Sequence, residues 1–116
     1  MNLYHCFIDL RDDAKALSFA HAIGTWMEYH RLKGTIASWR LLRRKLNLAA
    51  DSYRDFMLEI EVEDLAQLDR AFRLVSSQSD EVERLYAQIT PMIARAEFAL
   101  YRPFPDPERA ERVALL

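Results

Sequence analysis

The chain has 116 residues, which is the size of one domain, and its 51% hydrophobic and 29% charged residues are typical of a globular protein. A net charge of −2 provides no positive field, so we expect no general binding to nucleic acid or to an anionic membrane surface. No apolar run approaches the roughly 20 residues that span a bilayer. Cys6 is the single cysteine, which excludes an internal disulfide. Together these features predict a soluble, cytoplasmic protein.

The first third of the chain predicts a strand followed by a long helix. Residues 3–10 are rich in aliphatic, aromatic and β-branched side chains, and the charges that follow interrupt them too early for a helix. From residue 13 to about residue 33, apolar side chains recur at helical spacing and form one broad stripe. Asp12 or Asp13 is expected to cap this helix, and Gly34 to lie just past its end.

The middle of the chain predicts two strands. Ile36 and Trp39 favour a strand across residues 35–44, although residues 41–46 could equally open a helix. After a short connection, apolar and charged side chains alternate strictly over residues 55–62, apart from Met57 on the polar side. This second segment is the clearest strand in the sequence.

Two helices are predicted after that strand. Apolar side chains recur at helical spacing from Asp64 to about residue 77. The stripe consists of Leu65, Leu68, Phe72 and Val75. Ser79 or Asp80 caps a third, shorter helix, which should end near Pro91 because a proline inside a helix costs about 3 kcal/mol.

The chain closes with a fourth predicted strand and a tail. Small and apolar side chains alternate with larger or charged ones over residues 94–101, and a group of prolines ends the strand. We therefore assign residues 1–104 to a single domain and residues 105–116 to a C-terminal tail. Within this tail, residues 108–116 could form a short amphipathic helix.

The element order β-α-β-β-α-α-β predicts an α+β domain of ferredoxin-like topology, with a four-stranded antiparallel sheet and its helices on one face. The opposite face of the sheet would then carry Phe7, Leu42, Met57 and Tyr101. This surface is too apolar to remain in water without a partner. We therefore expect a homodimer in which two sheets pack face to face.

Four strings in the sequence carry a resemblance to a known superfamily. They are MNLYHCFIDL, SWRLLRRKLNL, EVEDLAQLDRAF and EFALYRPFPD. With the element order, they resemble the dimeric α/β-barrel superfamily, and they are most similar to a small bacterial family without an assigned function. The resemblance implies two ferredoxin-like subunits that pair their sheets around an internal cavity. Superfamily members include cofactor-independent oxygenases, isomerases and haem-degrading enzymes, but no catalytic or haem-ligand pattern of theirs is found here, so no functional residue is transferred.

Candidate site residues lie on the face that the helices do not cover. Strand one is expected between strands three and four, which would place His5 between Glu59 and Glu97 at a strand spacing of about 4.8 Å. Neighbouring carboxylates favour a cationic histidine, so these three are the candidate catalytic residues for acid/base chemistry. The remaining candidates on this face, for ligand binding, are Asp9, Ser38, Arg40, Met57 and Tyr101.

The same residues also allow an interpretation without a substrate. The charged groups could form an ion-pair network that fixes how two subunits register against each other. A basic cluster at Arg40, Arg43, Arg44 and Lys45 is interpreted as a solvated strand end, with anion binding, and then nucleic-acid binding, as alternatives.

Other residues that could carry chemistry are assigned to packing. His30 belongs to the apolar stripe of the first helix and is expected to be buried and hydrogen-bonded, and Cys6 is expected to be an inert thiol. Trp26 and Trp39 are expected in the core. The sequence has no glycine-rich phosphate loop, CxxC pair or nucleophile elbow, so no cofactor and no metal are predicted.

The leading functional hypothesis is a dimeric protein that holds a small organic molecule in an interior cavity. One alternative is a cofactor-independent oxygenase or isomerase that uses an interior acid/base pocket. Another is a structural or interaction module whose dimer interface is filled. The sequence leaves catalytic competence and ligand identity open.

Overall fold

A computed structural model describes residues 1–77 and 79–105 of the chain. Its elements are β1 (Asn2–Leu10), α1 (Ala16–Leu32), β2 (Ser38–Arg43), β3 (Phe56–Val62), α2 (Leu65–Ser76), α3 (Asp80–Ala87), a 3₁₀ turn (Thr90–Met92) and β4 (Ile93–Tyr101). The strands form one antiparallel sheet in the order β2-β3-β1-β4. The predicted ferredoxin-like α+β architecture is confirmed. The helix predicted at 108–116 lies outside the described residues.

The clearest predicted strand, β3, buries every second residue. Its apolar side chains at Phe56, Leu58, Ile60 and Val62 are buried, whereas the residues between them are only partly covered. Strand β2 pairs with β3 through partners such as Arg40 and Glu59, so the strand prediction is confirmed and the helical alternative is wrong. The pairing satisfies backbone groups of β2 that an isolated helical turn would leave to solvent.

Helix α1 begins later than the sequence predicts. Asp12 and Asp13 lie in a turn that is closed by the N–H of Ala14, which donates to the carbonyl of Arg11 at 3.0 Å. Lys15 therefore occupies the N-cap position in an extended conformation, and no side chain caps the helix. The prediction that an aspartate caps α1 is wrong because the turn holds both carboxylates outside the first helical residues.

Helix α1 ends at Leu32, and Gly34 lies just past its end, as predicted. This glycine has a φ of 74°, a conformation that costs a residue with a Cβ more than it costs glycine. Its N–H donates to the carbonyl of Arg31 at 3.1 Å, and the N–H of Thr35 donates to the carbonyl of His30 at 3.1 Å. These two bonds form a Schellman motif, which satisfies carbonyls that the helix end would otherwise leave open.

The hydrophobic core lies between the helices and one face of the sheet. Phe19 of α1, Val62 of β3 and Val82 of α3 are the largest of its fully buried side chains. Full burial of such a side chain stabilises the fold by about 1.5–3 kcal/mol. Trp26 is buried in this core, and Trp39 packs against it while its Nε1 donates to Glu28 at 3.0 Å. The prediction that both tryptophans are core residues is confirmed.

Helix α2 presents a different face to the core than its apolar stripe predicts. Asp64 caps the helix as predicted and accepts from the N–H of Gln67 at 2.7 Å. The helix buries Gln67, Leu68 and Ala71, while Phe72 remains 49% exposed. The reason is the amide of Gln67, which turns inward to donate to the carbonyl of Gly34 at 3.1 Å.

Ser79 caps helix α3. Its side chain accepts from the N–H of Val82 at 3.3 Å, so this predicted cap is confirmed. Among the residues that the structure describes, no helix is long and apolar enough to cross a membrane.

Candidate functional site

All predicted site residues lie on the face of the sheet that carries no helix, which we call the open face. The strand registers show this, because each of these residues lies opposite a residue whose side chain points to the same face of the sheet. The set comprises His5, Asp9, Ser38, Arg40, Met57, Glu59, Glu97 and Tyr101. The prediction of which side chains share this face is confirmed. Their roles as site residues stay a prediction.

His5 and Glu59 meet at the centre of the open face. They are directly opposite in the β1–β3 register, and Nε2 of His5 lies 3.0 Å from Oε2 of Glu59. Nε of Arg40 binds the second oxygen of Glu59 at 2.7 Å. The hydrogen bond from Arg40, followed by that from His5, lowers the pKa of Glu59 although partial burial opposes ionisation. Glu59 is therefore an anion with both of its oxygens engaged.

Glu97 does not converge on His5. The residue opposite His5 on β4 is Ala99, and Glu97 lies opposite Phe7 instead. The carboxylate of Glu97 binds Nε of Arg54 at 2.7 Å and approaches Nε of Arg95 at 3.4 Å. His5 therefore lies beside one carboxylate and not between two. The reason is the β1–β4 register, which places Glu97 two residues away from Ala99, the residue opposite His5.

Arg54 is a site residue that the sequence interpretation missed. It lies in the connection before β3, and its guanidinium bridges Glu97 to Asp9, whose Oδ2 is 3.0 Å from Nη1. Burial opposes ionisation of Asp9, but the N–H of Asp55 at 2.9 Å and the charge of Arg54 lower its pKa overall. A second ion-pair cluster therefore stands at one end of the open face.

The remaining open-face candidates serve smaller contacts. The hydroxyl of Ser38 donates to Glu61 at 3.3 Å, and the ring of Tyr101 lies 5.2 Å from that of His5. Leu42 and Tyr101 are 40% and 57% exposed in the isolated chain. The open face thus combines paired charges with uncovered apolar area, as an interface between subunits does.

The basic cluster is largely engaged within the chain. Arg40 binds Glu59, Arg44 binds Asp55 at 3.0 Å, and the guanidinium of Arg43 lies over the ring of Phe56 at 5.4 Å. Three of its four cations therefore have intramolecular partners. This arrangement favours the interpretation of a strand end over that of an anion site.

A cavity of about 450 Å³ lies on the other face, between the sheet and the three helices. Side chains of β1, β3, β4 and all three helices line it, and none of these lining residues is charged. The cavity extends to the surface beside β4, where Phe98 is 61% exposed and Phe72 is 49% exposed. The sequence interpretation placed its interior pocket on the open face and did not foresee this one.

Few polar groups reach the cavity. Burial raises the pKa of Cys6 to about 12, so it is a neutral thiol, in keeping with the predicted inert role. Burial also raises the pKa of Tyr4, whose ring stacks on Phe98 at 5.9 Å and meets the edge of Phe72 at 5.6 Å. The walls of the cavity are therefore uncharged at neutral pH.

His30 is the one histidine that lines the cavity. It is 3% exposed, and its Nδ1 lies 2.8 Å from the hydroxyl of Thr35, so the predicted packed and hydrogen-bonded role is confirmed. Burial lowers the pKa of His30 to about 4, which makes the ring neutral at pH 7. The sequence signal for this residue was a histidine at the end of an apolar stripe, followed by a hydroxyl just past Gly34.

Comparison with protein families shows to which family the chain belongs. The model of a family of unknown function, DUF6614, matches residues 1–116. The chain belongs to the DUF6614 family. The predicted resemblance to a family without an assigned function is thereby confirmed, and no curated protein matches the sequence.

Solved structures with the same fold include dimeric proteins and an enzyme. A dimeric ferredoxin-like protein of unknown function from Thermobifida fusca is 17% identical, with a TM-score of 0.60 over 89% of this chain and 92% of its own. A dabb family protein with a ferredoxin-like fold from Mesorhizobium loti is 14% identical, with a TM-score of 0.61 over 89% and 96%. A hydroxynitrile lyase from Passiflora edulis is 12% identical, with a TM-score of 0.67 over 91% and 96%. At these identities the likeness concerns the fold.

Proposed function

We propose that this DUF6614 protein binds a small, uncharged and predominantly apolar organic molecule in the cavity between its sheet and its helices. The observation that carries the proposal is a cavity of about 450 Å³ that, within residues 1–77 and 79–105, has no charged lining residue. Ligand pockets commonly measure about 300–1,000 Å³. A charged ligand would lose its hydration without gaining an ionic partner there, whereas an apolar one gains about 25 cal/mol for each Å² removed from water.

The proposal includes a homodimer formed through the open face. Exposed Leu42 and Tyr101 lie beside the ion pairs of Glu59 and Arg54, which is the composition of a subunit interface. The neighbour from Thermobifida fusca is dimeric, which supports a homodimer but does not bear on which face forms it. In the dimer, the His5–Glu59–Arg40 cluster fixes the register of the two sheets.

A second candidate function places the chemistry on the open face. The 3.0 Å contact between His5 and Glu59 favours it, because a histidine oriented by a carboxylate can act as an acid or a base. In that version Arg40 and Tyr101 bind a substrate between the two sheets. The two candidates differ in which face of the sheet meets the ligand.

The proposal is tested with N-phenyl-1-naphthylamine, a neutral apolar dye whose fluorescence rises in apolar surroundings. We expect saturable binding to the wild-type protein. Ala96→Phe places a ring at the cavity mouth beside β4 and should weaken binding at least about fivefold, by occupying volume that the dye needs. The matched control is Ala94→Phe, because Ala94 is also exposed on β4 but does not line the cavity.

Unchanged dye affinity in Ala96→Phe, or an equal loss in Ala94→Phe, contradicts the cavity as the binding site. Loss of binding in His5→Ala with full binding in Ala96→Phe favours the open-face candidate. Because Ala96 is exposed, the added ring does not have to displace buried side chains.

A further inference from the structure

We infer that His30 is the polar anchor of the cavity, and that its Nε2 accepts a hydrogen bond from a neutral donor group, such as a hydroxyl, on an otherwise apolar ligand. This inference rests on the proposed function and specifies the chemical class of the ligand. This role of His30 depends on the tautomer of its ring and on the surroundings of Nε2.

The tautomer of His30 is assigned from the contacts of Thr35. The hydroxyl oxygen of Thr35 lies 3.1 Å from the backbone carbonyl oxygen of His30 and 2.8 Å from Nδ1 of its ring. We assign the hydroxyl proton to the carbonyl, so that the hydroxyl oxygen accepts from Nδ1–H. In this tautomer Nε2 presents a lone pair.

Nε2 of His30 has no hydrogen-bond partner within residues 1–77 and 79–105. His30 as a whole is 3% exposed and lines the cavity. In the inferred arrangement, Nε2 points into the cavity and a ligand supplies its hydrogen bond.

The ring is held in place around this free nitrogen. The edge of the His30 ring meets Trp26 at a centroid distance of 4.5 Å and an interplanar angle of 85°. Together with the Thr35 bond at Nδ1, this contact fixes the direction of the lone pair before a ligand enters. A preoriented acceptor in apolar surroundings selects a ligand that carries a hydrogen-bond donor, because an unpaired buried acceptor is costly.

A cationic or anionic ligand group fits the cavity less well. In the part of the chain that the structure describes, no charged residue lines the cavity to balance an ammonium or a carboxylate, and an unprotonated Nε2 cannot donate to an anion. The inferred ligand class is thus a hydrocarbon skeleton with one neutral donor, of which phenols and alcohols are the simplest examples.

The test compares 2-naphthol with 2-methylnaphthalene, which has nearly the same shape but no donor. Competition against N-phenyl-1-naphthylamine gives the affinity of each probe for the wild-type protein and for His30→Phe. We expect 2-naphthol to bind about five- to tenfold more tightly than 2-methylnaphthalene, and this preference to vanish in the variant.

A spectroscopic measurement on the wild-type protein avoids any dependence on how the variant folds. Nitrogen-15 NMR of labelled histidine should show Nε2 of His30 as the unprotonated nitrogen at pH 7. Its resonance should move when 2-naphthol binds and stay when 2-methylnaphthalene binds. His21, exposed on α1, and His5, on the open face, serve as internal controls whose resonances should not follow this pattern.

The possible outcomes distinguish the role of His30 from ligand binding in the cavity. Equal affinities for the two probes, or a proton found on Nε2 at pH 7, overturn the role of His30 and leave the apolar cavity intact. Binding of neither probe overturns the proposed function together with the anchor. A donor preference that is lost in His30→Phe, with the Nε2 shift in the wild type, supports both.

Discussion

The two faces of one sheet differ sharply although the same strands build them. On β1, Tyr4 and Cys6 face the helices and line an uncharged cavity, while His5 between them faces the open side and binds Glu59. Alternation along a strand places chemically opposite surfaces only one residue apart. The helix side has an uncharged cavity, and the open side has paired charges beside exposed apolar side chains.

The two faces also differ in whether their polar groups have partners within the chain. On the open face, every oxygen of Glu59 and both carboxylates near Arg54 are already engaged. On the helix side, the residues that line the cavity are mostly apolar, and their polar members, such as His30, are uncharged. A charge-rich cluster that is internally satisfied can organise an interface, whereas a single unsatisfied acceptor in a cavity can recognise a ligand.

The largest expected effect concerns the hydrophobic core, which lies on the helix side of the sheet. Phe19 is fully buried and packs against Phe56 at 5.3 Å, so Phe19→Ala should lower the free energy of unfolding by about 3–5 kcal/mol. Urea denaturation measures this value. Phe104→Ala is the matched control, because Phe104 is 94% exposed and its truncation should stay within about 0.5 kcal/mol. A small effect at Phe19 would break the assignment of the core to this side.

The next effect is the acid sensitivity of the helix side. Burial holds the pKa of His30 at about 4 in the folded chain, against about 6.5 when unfolded, so the unfolded chain binds a proton first as the pH falls. The contribution of neutral His30 to the free energy of unfolding is therefore complete above about pH 6.5. It decreases by about 3 kcal/mol on acidification to about pH 4.

His30→Phe removes this proton uptake, so between these pH values the variant should lose about 3 kcal/mol less than the wild type. Urea denaturation of both proteins over the range gives the difference, and the carboxylates contribute equally to the two. Parallel curves for wild type and variant contradict a buried neutral His30.

The open face should respond to a charge through assembly. Met57→Lys places an ammonium in the proposed interface and should weaken the dimer at least about tenfold, since a buried charge without a partner is costly. Light scattering should then report a particle near 13.6 kDa instead of one of twice that mass. Leu17→Lys, at a residue 87% exposed on α1, should leave the mass unchanged. Dimerisation that survives Met57→Lys places the interface elsewhere.

The smallest effect separates the roles of the two faces. Glu59→Gln keeps the shape but removes the charge that holds Arg40 and His5, and should destabilise the dimer by about 1 kcal/mol. Dissociation constants from sedimentation measure the change. Affinity for N-phenyl-1-naphthylamine should stay as in the wild type. A lost dye site in this variant would move the ligand to the open face, as the second candidate function requires.

Local patterns in the sequence were enough to predict the elements and the two faces of the sheet, although not the buried face of α2. Strict alternation in β3, the Asp64 cap and the Gly34 stop are each encoded within a few residues. The register of β4 was not predictable in this way, because alternation assigns a residue to a face of the sheet but does not determine which residue of the next strand lies opposite it. This register decides that Glu97 meets Arg54 instead of His5.

Two parts of the site depend on tertiary packing and leave little trace in sequence. Arg54 lies in a connection, where side chains follow no periodicity that would assign them to a face. At the cavity, α2 turns Gln67 inward and leaves Phe72 partly exposed at the rim, which its apolar stripe does not predict. His30 was correctly predicted to be packed, but its unpaired Nε2 follows only from the position of Thr35.

The most direct test of the account is methyl NMR on two neighbouring regions of one strand. Ile60 lines the cavity, whereas Met57 on the same strand points to the open face. On addition of 2-naphthol, we predict that the δ1 methyl resonance of Ile60 shifts and that the ε methyl resonance of Met57 stays in place. A shift of Met57 with an unmoved Ile60 would contradict the account.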